Sequence, residues 1–354
     1  MSSPAPLPGV TPWRRVLGLA IGLVAVVGVV LLAFLWPSVT AEPRDVPVAV
    51  AGPAEQVAQV QAGLDAGAPG VLDVTGVADR AAAVALVESR DAYGAIVLGP
   101  EPEILTASAA SPVVAQLLGD QAAALQAQVD AAAAAQGAPA GSAPTVVVTD
   151  VVPLSPDDAR GTTLAAATFP LVLGGLVGGI AVALTVRGAG RRLAALGTYA
   201  VAGGLVVAGA LHVLGGLHGA FLADAAAVGL TLLGISGTIV GAAAVLGRPG
   251  IAVGPVVFLL FANPLSAAAM PVEMLLAPWG AIGQWFPPGA ASTLLRDLSY
   301  FPAASTAFPW LVLAGWAVLG VALVLAGRLR DRAAASAPAG SVPADDALVA
   351  TARA

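Results

Sequence analysis

The chain has 354 residues, 58% of them hydrophobic and only 10% charged, with a formal net charge of −6. A soluble domain carries about 25% charged residues, so this composition points to an integral membrane protein and sets aside the soluble enzyme classes. No cysteine is present, which excludes disulfides, thiol nucleophiles and thiolate metal sites. All 15 basic residues are arginine. A P-loop needs a lysine on the nucleotide phosphates, so any ATP used here is bound by another subunit. The abundance of Ala, Gly, Pro and Arg, residues with GC-rich codons, points to a GC-rich bacterium.

Residues 1–15 are expected to form a disordered cytoplasmic N-terminus, Pro-rich over its first twelve residues. Val16–Leu35 then runs twenty residues without a charge, enough at ~1.5 Å per residue to cross a hydrocarbon core of ~30 Å. Trp13 and Trp36 flank it as interfacial aromatics do. Val39-Thr40-Ala41 resembles a signal-peptide cleavage site, but a signal h-region is typically ~7–15 residues; residues 16–36 therefore read as an uncleaved first span.

Residues 37–163 have ordinary soluble character, with fifteen acidic residues against four arginines, a net −11. Strand patterns fall at Val46–Ala51, Val71–Val77, Gly94–Gly99, Glu103–Thr106 and Thr145–Pro153. Helix patterns fall at Ala54–Ala66, at Asp79–Arg90, and from a Ser111 cap to Gln136, with a flexible linker at Gly137–Pro144. The alternation predicts an α/β domain. Its acidity argues against nucleic acid, which attracts the opposite sign.

Residues 164–262 predict spans two to five: Leu164–Val186, Leu193–Leu214, Ala225–Leu246, and a fifth beginning at Ile251–Ala262. Residues 263–301 are apolar but interrupted by Pro264, Pro271, Pro278, Pro287 and Pro288, which forbid one continuous helix. Broken backbone at membrane depth persists only where protein buries it or it lines a cavity. A sixth span is expected within 302–327, at Pro309–Ala326, followed by a disordered cytoplasmic tail, 328–354. With six spans, Arg14, Arg15, Arg187, Arg191, Arg192, Arg248, Arg328, Arg330 and Arg332 share one side. The positive-inside rule then places both termini in the cytoplasm and the α/β domain and the broken segment outside.

This layout, with DVPVAVAGP (Asp45–Pro53), YGAIVLGP (Tyr93–Pro100), LTASAASPVVAQLL (Leu105–Leu118), NPLSAAAMPVEMLLAPWGAIGQWFPPGA (Asn263–Ala290) and LRDLSYF (Leu295–Phe301), resembles the ABC-type exporter permeases of the second membrane-domain class. The closer likeness is to the actinobacterial branch grouped with the phage infection protein family. The resemblance implies a polytopic α-helical fold of about six spans with an extracytoplasmic α/β domain inserted between spans one and two. It also implies a second permease copy, a separate ATPase, and two short re-entrant helices at the outer mouth, near Leu265–Leu276 and Gly289–Leu298. The loop Arg187–Arg192 is short and no amphipathic helix precedes span one, so the surface for an ATPase is thin.

Glu273 is an ionisable group in an apolar run, which at membrane depth marks function and at headgroup level is merely hydrated. Arg296 and Asp297 are the charges nearest in sequence, and a Glu273–Arg296 pair would close the outer mouth. Asn263-Pro264 is either a plain helix stop or a break whose freed backbone groups Asn263 re-satisfies. Pro287-Pro288-Gly289 separates the two re-entrant pieces. Asn263, Pro264, Glu273, Pro287, Arg296 and Asp297 are thus the candidate gate or substrate path. Gly174/Gly178, Gly175/Gly179 and Gly237/Gly241 are small-xxx-small pairs suited to close helix packing or a dimer face. His212, His218 and Asp224 recur every six residues, which does not place them on one helix face for a metal. No catalytic, cofactor or metal constellation assembles. The expected function is a permease subunit exporting a hydrophobic or amphipathic cargo across the bacterial inner membrane, in contact with membrane lipid and without nucleic acid. The alternative is a non-transporting anchor that displays the exterior domain.

Overall fold

The computed structural model describes residues 11–137, 139 and 141–336; the expected disorder of residues 1–10 and 337–354 lies outside the described residues, as do positions 138 and 140 of the linker. Helix α1 (Trp13–Val39) contains the predicted first span. The α/β domain follows as β1 (Val46–Ala51), α2 (Ala54–Gly67), β2 (Leu72–Val77), α3 (Arg80–Glu88), β3 (Gly94–Val97), β4 (Glu103–Thr106), α4 (Pro112–Asp120), α5 (Ala122–Ala135) and β5 (Val147–Asp150). The five strands form one sheet in the order β2-β1-β3-β4-β5, parallel throughout except for the antiparallel β3–β4 pair. Asp79 caps α3 by accepting from the Ala82 N–H at 2.9 Å, and Ser111 caps α4 by accepting from Val114. The helix expected from Ser111 to Gln136 is instead two helices parted at Gln121, next to Gly119, which weakens a helix interior.

Helices α6 (Thr162–Thr185), α7 (Ala189–Val213), α8 (Phe221–Leu246) and α11 (Ala307–Ser336) complete the long elements. Together with α1 they are the five helices among the described residues that are long and apolar enough to cross a membrane. The chain is therefore a polytopic helical protein with a small mixed sheet. Helix α8 is the centre of the bundle, buried along most of its length, whereas α1 is almost wholly exposed. Three of the four polar residues that α8 buries are satisfied within it, whereas Asp224 in its first turn pairs with His212 of α7. Thr231, Ser236 and Thr238 donate to the carbonyls of Ala227, Leu232 and Gly234, each one turn back, the local bond available to hydroxyls in a helix.

The bundle is packed through glycines. Gly175 and Gly179 of α6 lie against Ile235, Ser236 and Ile239 of α8, while a Cβ added to Gly320 of α11 would stand 2.6 Å from the Gly237 backbone. Lipid tails are as apolar as leucine, so such close backbone approach supplies the association energy. The small-xxx-small pairs are thus spent inside one chain, not on a dimer face. The same contacts fix direction. Gly237 and Gly241 meet Gly320 and Leu323, so α8 and α11 run parallel, as do α6 and α8; Gly204 of α7 meets Ala225 and Gly229, so α7 runs antiparallel.

Parallel α8 and α11 require residues 247–306 to carry the chain back along the bundle. The predicted fifth span does not supply a sixth long helix. It is a short apolar helix over Arg248–Ala262, opening as a 3₁₀ turn and closing as a π-helix, about 22 Å long at ~1.5 Å per residue. Pro249, Pro255 and Pro264 explain its shortness, since each removes a backbone donor. A first re-entrant helix at Leu265–Leu276 is likewise absent: that stretch is turns and bends with one 3₁₀ turn at Val272–Met274, because Pro264, Pro271 and Pro278 leave no room for an uninterrupted helix. After α9 (Trp279–Gly283) comes α10 (Pro287–Tyr300), which contains the predicted Gly289–Leu298 helix. Pro287 and Pro288 are its first helical residues, where a missing N–H costs nothing; they open the helix as well as divide the segment.

Depth along the bundle can be read from α8. Pro287, at the start of α10, packs beside Gly234 in the middle of α8. Leu298, near its end, meets Gly219 in the loop before α8. The segment therefore dips to the middle of the bundle and climbs back through α10 to the domain end. At the opposite end α6 and α7 are joined by Val186–Gly188. Arg187, Arg191, Arg192 and Arg248 gather there with the far ends of α1 and α11. Helix α11 continues through Ser336, so residues 328–336 of the expected tail are helical.

Candidate functional site

The domain and the re-entrant segment share one hydrophobic core. Met274 and Phe301, both buried, join Val48, Ile104, Leu105 and Leu118 of the domain, with Met270, Tyr300 and Ala304 packed against them. Arg44 and the Glu42 N–H, in the link from α1 to β1, both donate to the Met274 carbonyl. The outer end of the dip is thus built into the domain while its tip sits beside the middle of α8.

Two side-chain pairs also bond across the junction. Arg90 follows α3 with a left-handed backbone, φ 64°, at a helix end where glycine is the usual occupant. An arginine there carries strain of ~1–2 kcal/mol. Its Nη1 donates to Asp297 Oδ1 of α10 at 2.5 Å, and its guanidinium lies 5.8 Å from the centre of the Phe301 ring. Three residues on, the Tyr93 hydroxyl donates to Glu273 Oε2 at 2.8 Å.

The site residues named from sequence are partly brought together. Glu273 and Asp297 face the same junction, but the expected Glu273–Arg296 pair does not form. Arg296 donates instead to the Ala268 carbonyl at 2.9 Å, and Glu273 is engaged by Tyr93. The break after Asn263 is satisfied by other groups than its amide. The Asn263 carbonyl accepts from the Ser266 N–H, while Gln284 and Ser292 both donate to the Ser266 carbonyl, and Thr293 donates to Gln284. Pro264 lies in the turn, and Pro287 is buried at the tip. Arg90 and Tyr93 are the residues that sequence reasoning missed as junction residues. Tyr93 sits inside the YGAIVLGP motif, whereas nothing local singles out Arg90.

Electrostatics at the junction are set by burial. Burial, reinforced by the Glu273 carboxylate, pushes the Tyr93 hydroxyl above the ordinary tyrosine range. At the domain end of α10, which does not span, burial raises the Asp297 carboxyl against the opposing pull of Arg90. Burial and then the Arg90 charge lower Arg296 to about 10. The ion pair is therefore close in space yet costly to desolvate.

A cavity of about 290 Å³ opens at this junction, lined by Arg90, Asp91, Tyr93, Glu273, Gln284 and Asp297 together with apolar residues that include Val272 and Phe308. Its volume lies at the lower end of small-molecule sites, ~300–1,000 Å³. The tip below it is wrapped in aromatics: Phe286 against Phe261 and Trp316, Trp279 against Trp36, and the Trp316 Nε1–H donating to the Trp285 carbonyl.

His212 and Asp224 do meet, across the α7–α8 turn, with Nε2 and Oδ2 2.8 Å apart. His218 turns elsewhere, its ring 5.5 Å from that of Tyr300. Among the described residues no group of three or more His, Asp and Glu side chains could hold a metal. No protein-family model, curated protein or solved structure matches this chain.

Proposed function

We propose that the chain is a transport subunit of a bacterial inner membrane, with the α/β domain outside, in which the re-entrant segment is an outer gate held by that domain. One observation carries this reading. The segment reaches the middle of α8 at Pro287 and is bound at its other end into the domain core by Met274 and Phe301. A shift of the domain on its Arg90–Asp297 and Tyr93–Glu273 contacts would move α10 with it. The sidedness rests on arginine, which gathers at the end opposite the domain. Because α8 fills the middle of one bundle, the proposed path runs beside the re-entrant tip, against a second copy or another subunit. The cargo would be hydrophobic or amphipathic, and a separate ATPase would drive its export, as in the exporter permeases the sequence resembles.

A second reading is favoured by the arginine end. The loops there are as short as Val186–Gly188 and give an ATPase little to grip, which suits a non-transporting anchor for the domain. The absence of cysteine allows a clean test. Cells lacking the protein should accumulate fluorescent amphipaths, and the Arg90→Cys/Asp297→Cys variant should restore efflux until a bis-maleimide cross-linker joins the two thiols. Unchanged accumulation on deletion, with no ATPase co-purifying, would establish the anchor.

A further inference from the structure

The cavity at the junction has a charge imbalance that the gate reading does not use. Its lining includes three carboxylates, Asp91, Glu273 and Asp297, against one guanidinium, Arg90. Arg90 and Asp297 neutralise each other in their ion pair. Arg296, behind the wall, is turned to the Ala268 carbonyl, and even counting it the site stays negative. Glu273 has one oxygen engaged, by Tyr93. The lining also includes the apolar residues Val272, Ala290, Phe308 and Pro309.

We infer that this cavity binds a small amphipathic cation, an ammonium group attached to an apolar or aromatic body. The ammonium would sit at Glu273 and Asp91, beside the face of Tyr93 or Phe308, as cations favour aromatic faces. The body would lie against Val272, Ala290 and Pro309. An anion meets two uncompensated carboxylates in a partly desolvated space, where like charge is strongly repelled. The domain adds a longer-range bias in the same direction. Its fifteen acidic residues against four arginines raise the local concentration of cations at a cleft in its surface. This ligand class rests on the gate reading only where the ligand is taken to be cargo; the binding site itself does not.

The test is calorimetric titration of the full chain in lipid nanodiscs with benzyltrimethylammonium and, separately, with benzylsulfonate of the same size and opposite charge. The cation should bind saturably and at least tenfold more tightly than the anion. Glu273→Gln should weaken the cation about tenfold, and Ser305→Trp, which fills the cavity from its exposed rim, should abolish binding with every carboxylate intact. Asp130→Asn, on exposed α5 away from the cavity, should change nothing. Equal binding of both probes, or cation binding untouched by Glu273→Gln and Ser305→Trp, would overturn the site. Cation binding with no efflux phenotype would sink the transport reading and leave the site standing, whereas a functional cross-link lock without cation binding would do the reverse.

Discussion

The seam between α8 and α11 and the seam between α10 and the α/β domain are built from opposite materials. The first is glycine on glycine, with Gly237 and Gly241 against Gly320 and Leu323, and Arg330 bonds the Val245 carbonyl at its far end. The second combines a small apolar core, Met274 and Phe301, with the part-buried pair Arg90–Asp297 and the Tyr93–Glu273 bond. Close backbone packing has one good geometry and loses its attraction within a fraction of an ångström. Polar contacts over a cavity can be exchanged for water or a ligand at modest cost. The difference separates a permanent frame from a joint, and each seam can be broken to test that division.

The largest effect is expected at the frame. Gly320→Leu places a side chain where a Cβ alone would stand 2.6 Å from the Gly237 backbone. Neither backbone can yield without separating the helices, so the loss is about 3 kcal/mol or more. Thermal unfolding in detergent should show it as a lowered midpoint and a lost monodisperse peak. Gly315→Leu in the same helix, with nothing within 4 Å of a Cβ, should behave as wild type. Equal damage from both variants would mean that added bulk anywhere on α11, not the seam, is being measured.

The joint should respond differently. Asp297→Ala leaves the part-buried Arg90 beside Arg296 without its partner, a loss of about 1.5–3 kcal/mol for a charge-assisted hydrogen bond. Replacing both partners, in Arg90→Met/Asp297→Leu, removes the charge together with its desolvation cost and should return stability to within ~1 kcal/mol of wild type. Hydrogen exchange in α10 and α3 would report the opening locally. A double variant as loose as the single one would show that the ion pair is itself the structural tie, and the joint would then resemble the frame.

The frame was more legible in the sequence than the joint. Long apolar runs announce α1, α6, α7, α8 and α11 by length alone, and the strands of the domain follow from β-branched runs broken by Gly and Pro. Ser111 is readable as a cap because capping is local chemistry, and Asp79 stands at the start of its helix pattern. The short helix at Arg248–Ala262 was not readable as short. Its composition is that of a span, and only its prolines point the other way. The joint depends on distance in space. Arg90 and Asp297 are 207 positions apart, and no periodicity links them. Glu273 and Arg296 are close in sequence and of opposite charge, yet the Ala268 carbonyl takes Arg296 and Tyr93 takes Glu273. Local charge proximity is a weak guide where backbone carbonyls freed by prolines compete for the same donors.

The smallest effect is at Tyr93, and pH isolates it. Its folded-state pKa is raised above that of the unfolded chain, chiefly by burial and then by Glu273. The protonated phenol is thus favoured in the folded state, and its contribution is complete below the ordinary tyrosine pKa of ~10. Above that, the unfolded chain releases a proton that the folded junction retains, and stability falls by up to ~1.4 kcal/mol per pH unit. Tyr93→Phe should cost about 1 kcal/mol at neutral pH through the lost hydrogen bond, since the half-buried Glu273 can still be hydrated. The same variant should flatten the alkaline decline. Tyr300, whose hydroxyl burial also raises, contributes to the decline in both proteins, so the difference between them between pH 9 and 11 belongs to Tyr93. Parallel curves for wild type and Tyr93→Phe would mean that the junction already opens to water before the phenol ionises, and that the joint is looser at rest than its contacts suggest.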